Sequence, residues 1–374
     1  MIKILFLIHD LGEGGAEKVL INLVNSMDQN KFNITLISLF GGGVNEKYLS
    51  PQIHYRVVFQ RMIPGNSKIM KLFTPEALHD FIVKEKYDIE ISYLEGPSAR
   101  IISGCQEKGT KLISWIHIEQ HTKQVARQSF RSYHESVKCY SRFDKVVCVS
   151  ESVKKDFLAI YPMIRNVDVL YNTNDTDKII TLKNENIAGN IFKRNEIKIC
   201  GVGKITPKKG FDRLARIHNK LIENGYKVHT YVLGRGPEED HIKKYLAEQH
   251  IDDSFTFLGY QSNPYKYLAR CDLFVCASSG EGFSTAATEA LIVGTPVVTT
   301  PVAGMREMLG ENNEYGVISE MSEDSLYECI KRLISNPQLL AHYKAMAAKR
   351  GTFFSKANTV SATENYLKDL VQGN

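Results

Sequence analysis

A chain of 374 residues is longer than one hydrophobic core usually organises, so two domains are expected. With 43% hydrophobic and 24% charged residues, its composition is that of an ordinary globular protein, which excludes disordered and fibrous classes. The net charge of +5 is spread evenly, with 22 basic against 19 acidic side chains in residues 1 to 175 and 25 against 23 in the remainder, so no nucleic-acid partner is implied.

Strand-like and helix-like segments alternate from end to end, the pattern of parallel sheets covered by helices. The N-terminal Met1 to His9 runs straight into a Gly-rich loop, and reads as a first strand rather than a signal peptide. First-half strands are expected at Ile2 to Ile8, Ile34 to Leu39, Ile89 to Leu94, Leu112 to Ile116, Lys145 to Val149 and Val167 to Leu170. Helices are expected at Gly15 to Met27, Pro97 to Gln106, His121 to Tyr140 and Ser152 to Ile160. A polar stretch, 173–196, reads as an interdomain connection between a first domain of 1–172 and a second of 197–353. The second domain repeats the alternation, with strands at Ile197 to Val202, Val228 to Leu233, Phe255 to Leu258, Leu273 to Cys276 and Val297 to Thr299. Its helices are expected at Phe211 to Glu223, Pro237 to Gln249, Pro264 to Ala269, Ala286 to Val293 and Ser325 to Ile334, and a tail helix lies within 354–374.

After the first strand, Gly12-Glu-Gly14-Gly15-Ala-Glu17 opens a helix in the manner of a dinucleotide-binding loop. It lacks the full G-x-G-x-x-G pattern. The second strand also ends in Ser38-Leu-Phe-Gly-Gly-Gly43, without the acidic residue that would bind ribose, which argues against a nicotinamide cofactor.

The most informative stretch is Ser278-Ser-Gly-Glu281-Gly282-Phe283-Ser284-Thr285-Ala-Ala-Thr-Glu289. A buried strand ends there, Gly282 lets backbone approach a ligand, and Ser284 or Thr285 can cap the following helix. A helix N-terminus suits phosphate, and carboxylates beside it suit sugar hydroxyls, so the two together point to a nucleotide-sugar. Glu281 and Glu289, with Gly-Phe after the first, resemble the paired-glutamate motif of family 4 retaining glycosyltransferases. The flanks carry the likeness further: Asn263-Pro-Tyr-Lys-Tyr and Cys271-Asp-Leu-Phe-Val precede the motif, and Gly294-Thr-Pro-Val-Val-Thr-Thr300 and Gly304-Met-Arg-Glu-Met-Leu309 follow it.

That resemblance implies an α/β chain of GT-B fold, with two Rossmann-like doubly wound parallel-sheet domains facing across a cleft and a C-terminal helix returning to the first. It implies a bacterial surface-polysaccharide enzyme, acting without a cofactor, that moves a hexose or N-acetylhexosamine from a nucleotide-sugar, UDP-linked by preference, to a saccharide or lipid-linked saccharide. Lys204 and Lys209, in the loop Gly201-Val-Gly-Lys-Ile-Thr-Pro-Lys-Lys-Gly210, match the basic pair that faces the leaving diphosphate. The family more often has arginine at the first position, and a lysine there gives up bidentate contact. Negative charge grows on that diphosphate during transfer, and removing one positive group aimed at it costs ~3 to 4 kcal/mol. By the same likeness Glu281 meets donor-sugar hydroxyls and Glu289 the ribose, while Gly282, Phe283 and Ser284 line sugar and phosphate. Base recognition falls near Gly234 and near Tyr260 and Gln261, and Gly14 and Gly15 lie close to donor sugar and diphosphate.

His117 ends a buried strand, where the family often places a histidine close to the transferred sugar; a structural role competes with that reading. Glu95, in the turn Leu94-Glu-Gly-Pro97, is an acceptor-side candidate, with helix capping as the competing reading. Asp175-Thr-Asp177 superficially resembles a metal-binding Asp-x-Asp, but it lies in the connection, and no metal is expected.

Residues 61–73 and 123–145 combine basic and apolar side chains, which makes an anionic membrane surface a candidate partner. No apolar stretch approaches the ~20 residues needed to span a bilayer. Seven cysteines without a C-x-x-C pair fit a reducing cytoplasm; the basic, apolar segments and the resemblance together imply peripheral attachment at the inner face of the plasma membrane. Two other functions share such a fold, a nucleotide-sugar epimerase and a non-catalytic nucleotide-sugar-binding protein.

Overall fold

The computed structural model describes residues 1–373 other than 190, 193 and 194. It divides into two compact units, Met1–Asn174 with Lys356–Asn374, and Asp175–Ser355. In the first, strands β1 (Ile2–Ile8), β2 (Phe32–Phe40), β3 (His54–Phe59), β4 (Ile89–Ser92), β5 (Lys111–Ile116), β6 (Lys145–Cys148) and β7 (Val167–Val169) form one sheet in the order β3-β2-β1-β4-β5-β6-β7. Every neighbouring pair is parallel, β1 running beside β2 from Ile2 and Phe32 to Ile8 and Ser38. Continuous apolar runs such as β1, with Ile4 to Ile8 wholly buried, are what a sheet covered on both faces requires. The winding runs outward from β1 to β3 and resumes at β4 on the other side of β1, so the carboxyl ends of β1 and β4 flank a reversal point.

β3 is absent from the sequence reading because it is the edge strand, only partly buried, with no continuous apolar run to announce it. The helix expected from His121 to Tyr140 is two, Lys123–Ala126 and Tyr133–Tyr140. Thr122 and Ser132 each start a new helix, their hydroxyls accepting from the Val125 and Glu135 amides. The C-terminal helix Lys356–Gln372 packs within this unit: Glu364 accepts from the Asp28 amide at 2.7 Å, and the Tyr366 hydroxyl donates to Asp168 at 2.9 Å.

The second unit holds β8 (Ile197–Val202), β9 (Val228–Leu233), β10 (Phe255–Gly259), β11 (Leu273–Cys276), β12 (Val297–Thr299) and β13 (Val317–Ile318), again all parallel, in the order β10-β9-β8-β11-β12-β13. Its reversal point lies between β8 and β11. The helix Phe211–Glu223 buries Phe211, Leu214, Ala215, Ile217 and Leu221 at helical spacing against that sheet. Of the stretch 173–196, residues Thr176–Leu182 form a helix of this unit. Asp175 caps it by accepting from the Lys178 amide, and Asn263 Nδ2 donates to Leu182 O and Glu185 Oε2, both at 2.9 Å. Positions 190, 193 and 194 of that stretch lie outside the described residues. Among the described residues no helix is long and apolar enough to cross a membrane, and all seven cysteines are unpaired.

One buried network stabilises the first unit. His79, on the helix Pro75–Ile82, meets Glu90 of β4 at 2.7 Å, and the Cys105 thiol lies 3.7 Å from the other Glu90 oxygen. Burial alone would push the imidazole down, but hydrogen bonds to Cys105 and Glu90 and the Glu90 charge outweigh it and raise its pKa to about 9. A raised imidazole pKa stabilises fully below the ordinary value near 6.5, and that contribution is lost as pH climbs through about 9. We therefore expect His79→Ala to destabilise the first unit by about 3 kcal/mol near pH 6, since it strands a buried carboxylate, and the deficit to shrink toward alkaline pH. Denaturation followed by fluorescence of Trp115, the single tryptophan, reads this unit directly.

Candidate functional site

Strand ends build the second unit's site. After β8 the chain turns through Gly203 and carries Lys204 to Lys209 across the sheet's carboxyl edge. Its backbone is tied to the end of β9, the Gly203 amide donating to Leu233 O and the Ile205 amide to Arg235 O, both at 2.9 Å. A Cβ on Gly234 (φ +142°) would stand 1.9 Å from Gly203 O, and one on Gly210 (φ +67°) would stand 2.1 Å from Ala277 O. Only glycine permits such contact, and it seats the lysine loop on both β9 and β11.

Glu281 is held from both sides of the reversal point. Lys209 Nζ lies 2.7 and 2.9 Å from its two oxygens, and the Ser278 hydroxyl donates to Oε1 at 2.7 Å. Ser278 is itself fixed, because Thr300 Oγ1 donates to its carbonyl at 2.5 Å. Lys204 is exposed and, among the described residues, has no carboxylate partner, so its charge is available to an anion.

The helix Thr285–Val293 starts at Ser284, whose hydroxyl accepts from the Ala287 amide at 3.3 Å. Phe283 is buried edge-on against Phe354 at 5.6 Å, and Gly304 lies so close beneath Gly282 and Phe283 that a Cβ there would come within 2.6 Å of the ring. The entry to this helix is therefore fixed by packing on both sides. Glu289 is 3% exposed and takes a 3.2 Å hydrogen bond from the Tyr265 hydroxyl, as a buried carboxylate must. The loops after β9 and β10 join where the Gly234 amide donates to Gly259 O at 2.8 Å; Gln261 folds back onto Leu258 O at 2.6 Å, and Tyr260 is 52% exposed. Lys204, Lys209, Gly234, Tyr260, Gln261, Glu281, Gly282, Phe283, Ser284 and Glu289 thus all follow carboxyl ends of neighbouring parallel strands.

In the first unit, Gly14 and Gly15 are exposed at the start of the helix Gly15–Ser26, after β1. Glu95, after β4, accepts from the His117 amide at 2.9 Å and so ties the ends of β4 and β5 together. His117 is 6% exposed, with its ring 4.7 Å from that of Tyr93. Its Nε2 has no hydrogen-bond partner among the described residues. Burial pushes its pKa down to about 3, so the imidazole is neutral at physiological pH and offers one unfilled nitrogen.

Sequence reasoning gave no role to Ser278 and Tyr265, which orient the two glutamates. Tyr265 stands between Pro264 and Lys266, and nothing in that stretch marks the carboxylate it serves. Ser278 was visible only as a strand-end hydroxyl three residues before Glu281.

A family model described as glycosyl transferases group 1 matches residues 183–350, and one described as Glycosyltransferase Family 4 matches residues 13–178. The sequence is 26% identical over 385 residues to the N-acetylgalactosamine-N,N'-diacetylbacillosaminyl-diphospho-undecaprenol 4-alpha-N-acetylgalactosaminyltransferase of Campylobacter jejuni, spanning 98% of this chain and 100% of that one. It is 22% identical to the lipopolysaccharide core biosynthesis glycosyltransferase LpsD of Rhizobium meliloti, over 96% of each. Among solved structures, HepE of Anabaena in complex with UDP and glucose matches with a TM-score of 0.78 at 18% identity, over 98% of this chain and 100% of that one. Two doubly wound parallel-sheet units with this likeness define the GT-B fold, and the chain is a glycosyltransferase. It belongs to family 4 of that class, the two family matches between them spanning nearly its whole length.

A lowered imidazole pKa stabilises fully above the ordinary 6.5 and loses that contribution as pH falls toward about 3. Replacing His117 by glutamine should therefore spare the first unit about 2 kcal/mol of the stability that the wild type loses between pH 6.5 and 5. Parallel acid limbs for the two proteins in Trp115-monitored denaturation would contradict the buried neutral imidazole.

Proposed function

We propose that the chain is a retaining, metal-independent glycosyltransferase that moves a hexose or N-acetylhexosamine from a UDP-sugar to a lipid-linked saccharide in capsule, exopolysaccharide or lipopolysaccharide synthesis. It works without a cofactor, at the cytoplasmic face of the plasma membrane. The observation that carries this reading is the Lys209–Glu281 pair, with Lys204, which has no carboxylate partner among the described residues, in the same loop and the Ser284-capped helix beside it. The relatives support the substrates: the Campylobacter enzyme is named for a diphospho-undecaprenol-linked sugar, and HepE was solved with UDP and glucose.

In this reading the bond from the anomeric carbon to the diphosphate breaks on the face that the acceptor hydroxyl enters. Lys204, Lys209 and the helix start receive the charge growing on the diphosphate, held ready so that little rearrangement is needed. The departing phosphate oxygen takes the acceptor's proton, so no protein base is required. Glu281 accepts from donor-sugar hydroxyls, and Glu289, buried beside Tyr265, from the ribose. Gly282, Phe283 and Ser284 present backbone to sugar and phosphate. Gly234, Tyr260 and Gln261 meet the base. His117, neutral, offers Nε2 to a sugar hydroxyl, and Glu95 stands on the acceptor side.

Lys209→Ala and Glu281→Gln should each lower kcat by about a hundred- to a thousandfold. Glu289→Gln should act on donor KM, weakening it about tenfold with a smaller effect on kcat, because the ribose is remote from the reacting carbon. Initial rates with a panel of nucleotide-sugars in the presence of a chelator, and the anomeric configuration of the product by NMR, test the rest. Activity restored only by added divalent metal would overturn the metal-independent reading, and an inverted anomer the retaining one.

A further inference from the structure

Residues 61–73 contain Arg61, Lys68 and Lys71 and no acidic side chain. Within them Met62, Ile69, Leu72 and Phe73 are 56, 46, 77 and 52% exposed. Apolar side chains this exposed ordinarily turn inward. At Leu72 and Phe73 the backbone itself is fastened. Arg100, 1% exposed, donates to Met70 O at 2.9 Å and to Phe73 O at 2.7 Å, and is itself held by Glu135 at 2.9 and 3.2 Å. Arg131 donates to Lys71 O at 2.6 Å and to Leu72 O at 3.1 Å. Four consecutive carbonyls, 70 to 73, are thus satisfied by two guanidinium groups, the buried Arg100 and the part-exposed Arg131, while the side chains of Leu72 and Phe73 remain exposed.

Arg131 also joins this loop to the segment 121–134, which carries Lys123, Arg127 and Arg131 and again no acidic residue. Beside it lies a hollow of about 380 Å³ lined by Arg131, His134, Lys138 and Arg142. Its two carboxylates are already engaged, Glu135 with Arg100 and Glu76 with Arg142 at 3.9 Å. The cores of protein interfaces are depleted in lysine, whereas here lysines alternate with the exposed apolar residues. Charge and apolarity interleaved in this way complement an anionic bilayer, whose phosphates meet the cations while the hydrocarbon boundary takes the apolar tip.

We propose that this stapled loop is a docking surface for an anionic lipid bilayer, Leu72 and Phe73 entering the headgroup boundary and Arg61, Lys68 and Lys71 lying against lipid phosphates. The proposal deepens the lipid-linked-acceptor reading, on which it rests for its purpose. The full-length protein should sediment with vesicles of phosphatidylcholine plus phosphatidylglycerol, release in high salt, and ignore vesicles of phosphatidylcholine alone. Leu72→Ser with Phe73→Ser, and separately Lys68→Glu with Lys71→Glu, should each weaken that partitioning by about tenfold or more, with unchanged melting temperature and unchanged transfer to a water-soluble acceptor. Because sedimentation is measured without sugar substrates, transfer can fail while docking holds, and the reverse. Equal sedimentation with both vesicle types, or variants that bind like wild type, would overturn the proposal. So would self-association of the wild type that Leu72→Ser with Phe73→Ser abolishes without vesicle binding, which would make this face an interface between copies.

Discussion

In an all-parallel sheet every strand hands its chain to a loop at the same edge, and where the winding reverses two such loops are left side by side with no helix crossing between them. In the second unit that pair is the loop after β8 and the loop after β11. Everything distinctive about the site follows from closing them tightly. Gly210 and Gly234 remove the side chains that would keep backbone from backbone, so Lys209 reaches Glu281 across the reversal point. A larger residue at either glycine would push the lysine loop off the sheet before it altered any charge.

The ion pair so formed adds little to stability. Its lysine is 30% exposed, and half-solvated pairs of that kind contribute under about 1 kcal/mol. Its value is positional. Glu281 has three fixed contacts from two donors, two from Lys209 and one from Ser278, so neither oxygen needs to reorient when a ligand arrives. Glu289 differs: it is fully buried with Tyr265, and its neighbours 287 to 293 are buried as well, so its geometry is set by the core rather than by a flexible loop. One glutamate is thus placed by loop chemistry and the other by packing.

This division also marks what a linear reading can see. The central strands of both sheets, with continuous Ile, Val, Leu and Phe, were legible because burial on both faces leaves no alternation to confuse. The edge strands β3 and β13 were not, being short or half-exposed, and neither were the short helices Asn66–Met70 and Pro75–Ile82, nor the long helix Pro337–Phe353, the last because its apolar residues form no strong stripe. At the site, glycines, lysines and glutamates announced themselves by type and spacing. Ser278 and Tyr265 did not, since a hydroxyl becomes informative only when three-dimensional structure shows the carboxylate it serves. The four carbonyls held by Arg100 and Arg131 were equally invisible, because the partners lie 27 to 60 positions apart.

The buried histidines show how such partners separate structural groups from groups available to a ligand. His218 is wholly buried and its pKa is pushed down to about 3, as is that of His117, yet its nitrogens meet Ser254 and Thr230 at 2.8 and 2.9 Å. His229 is likewise satisfied by Glu196 and Thr256, and His79 by Glu90. Burial and a lowered pKa alone therefore do not distinguish His117. What does is the hydrogen bond it lacks: among these four it alone keeps a buried ring nitrogen without a partner, and it does so at a strand's carboxyl end, where open parallel sheets bind their ligands. An unsatisfied buried acceptor or donor costs about 1 to 3 kcal/mol, and a group on the substrate that completed it would recover that cost only while bound.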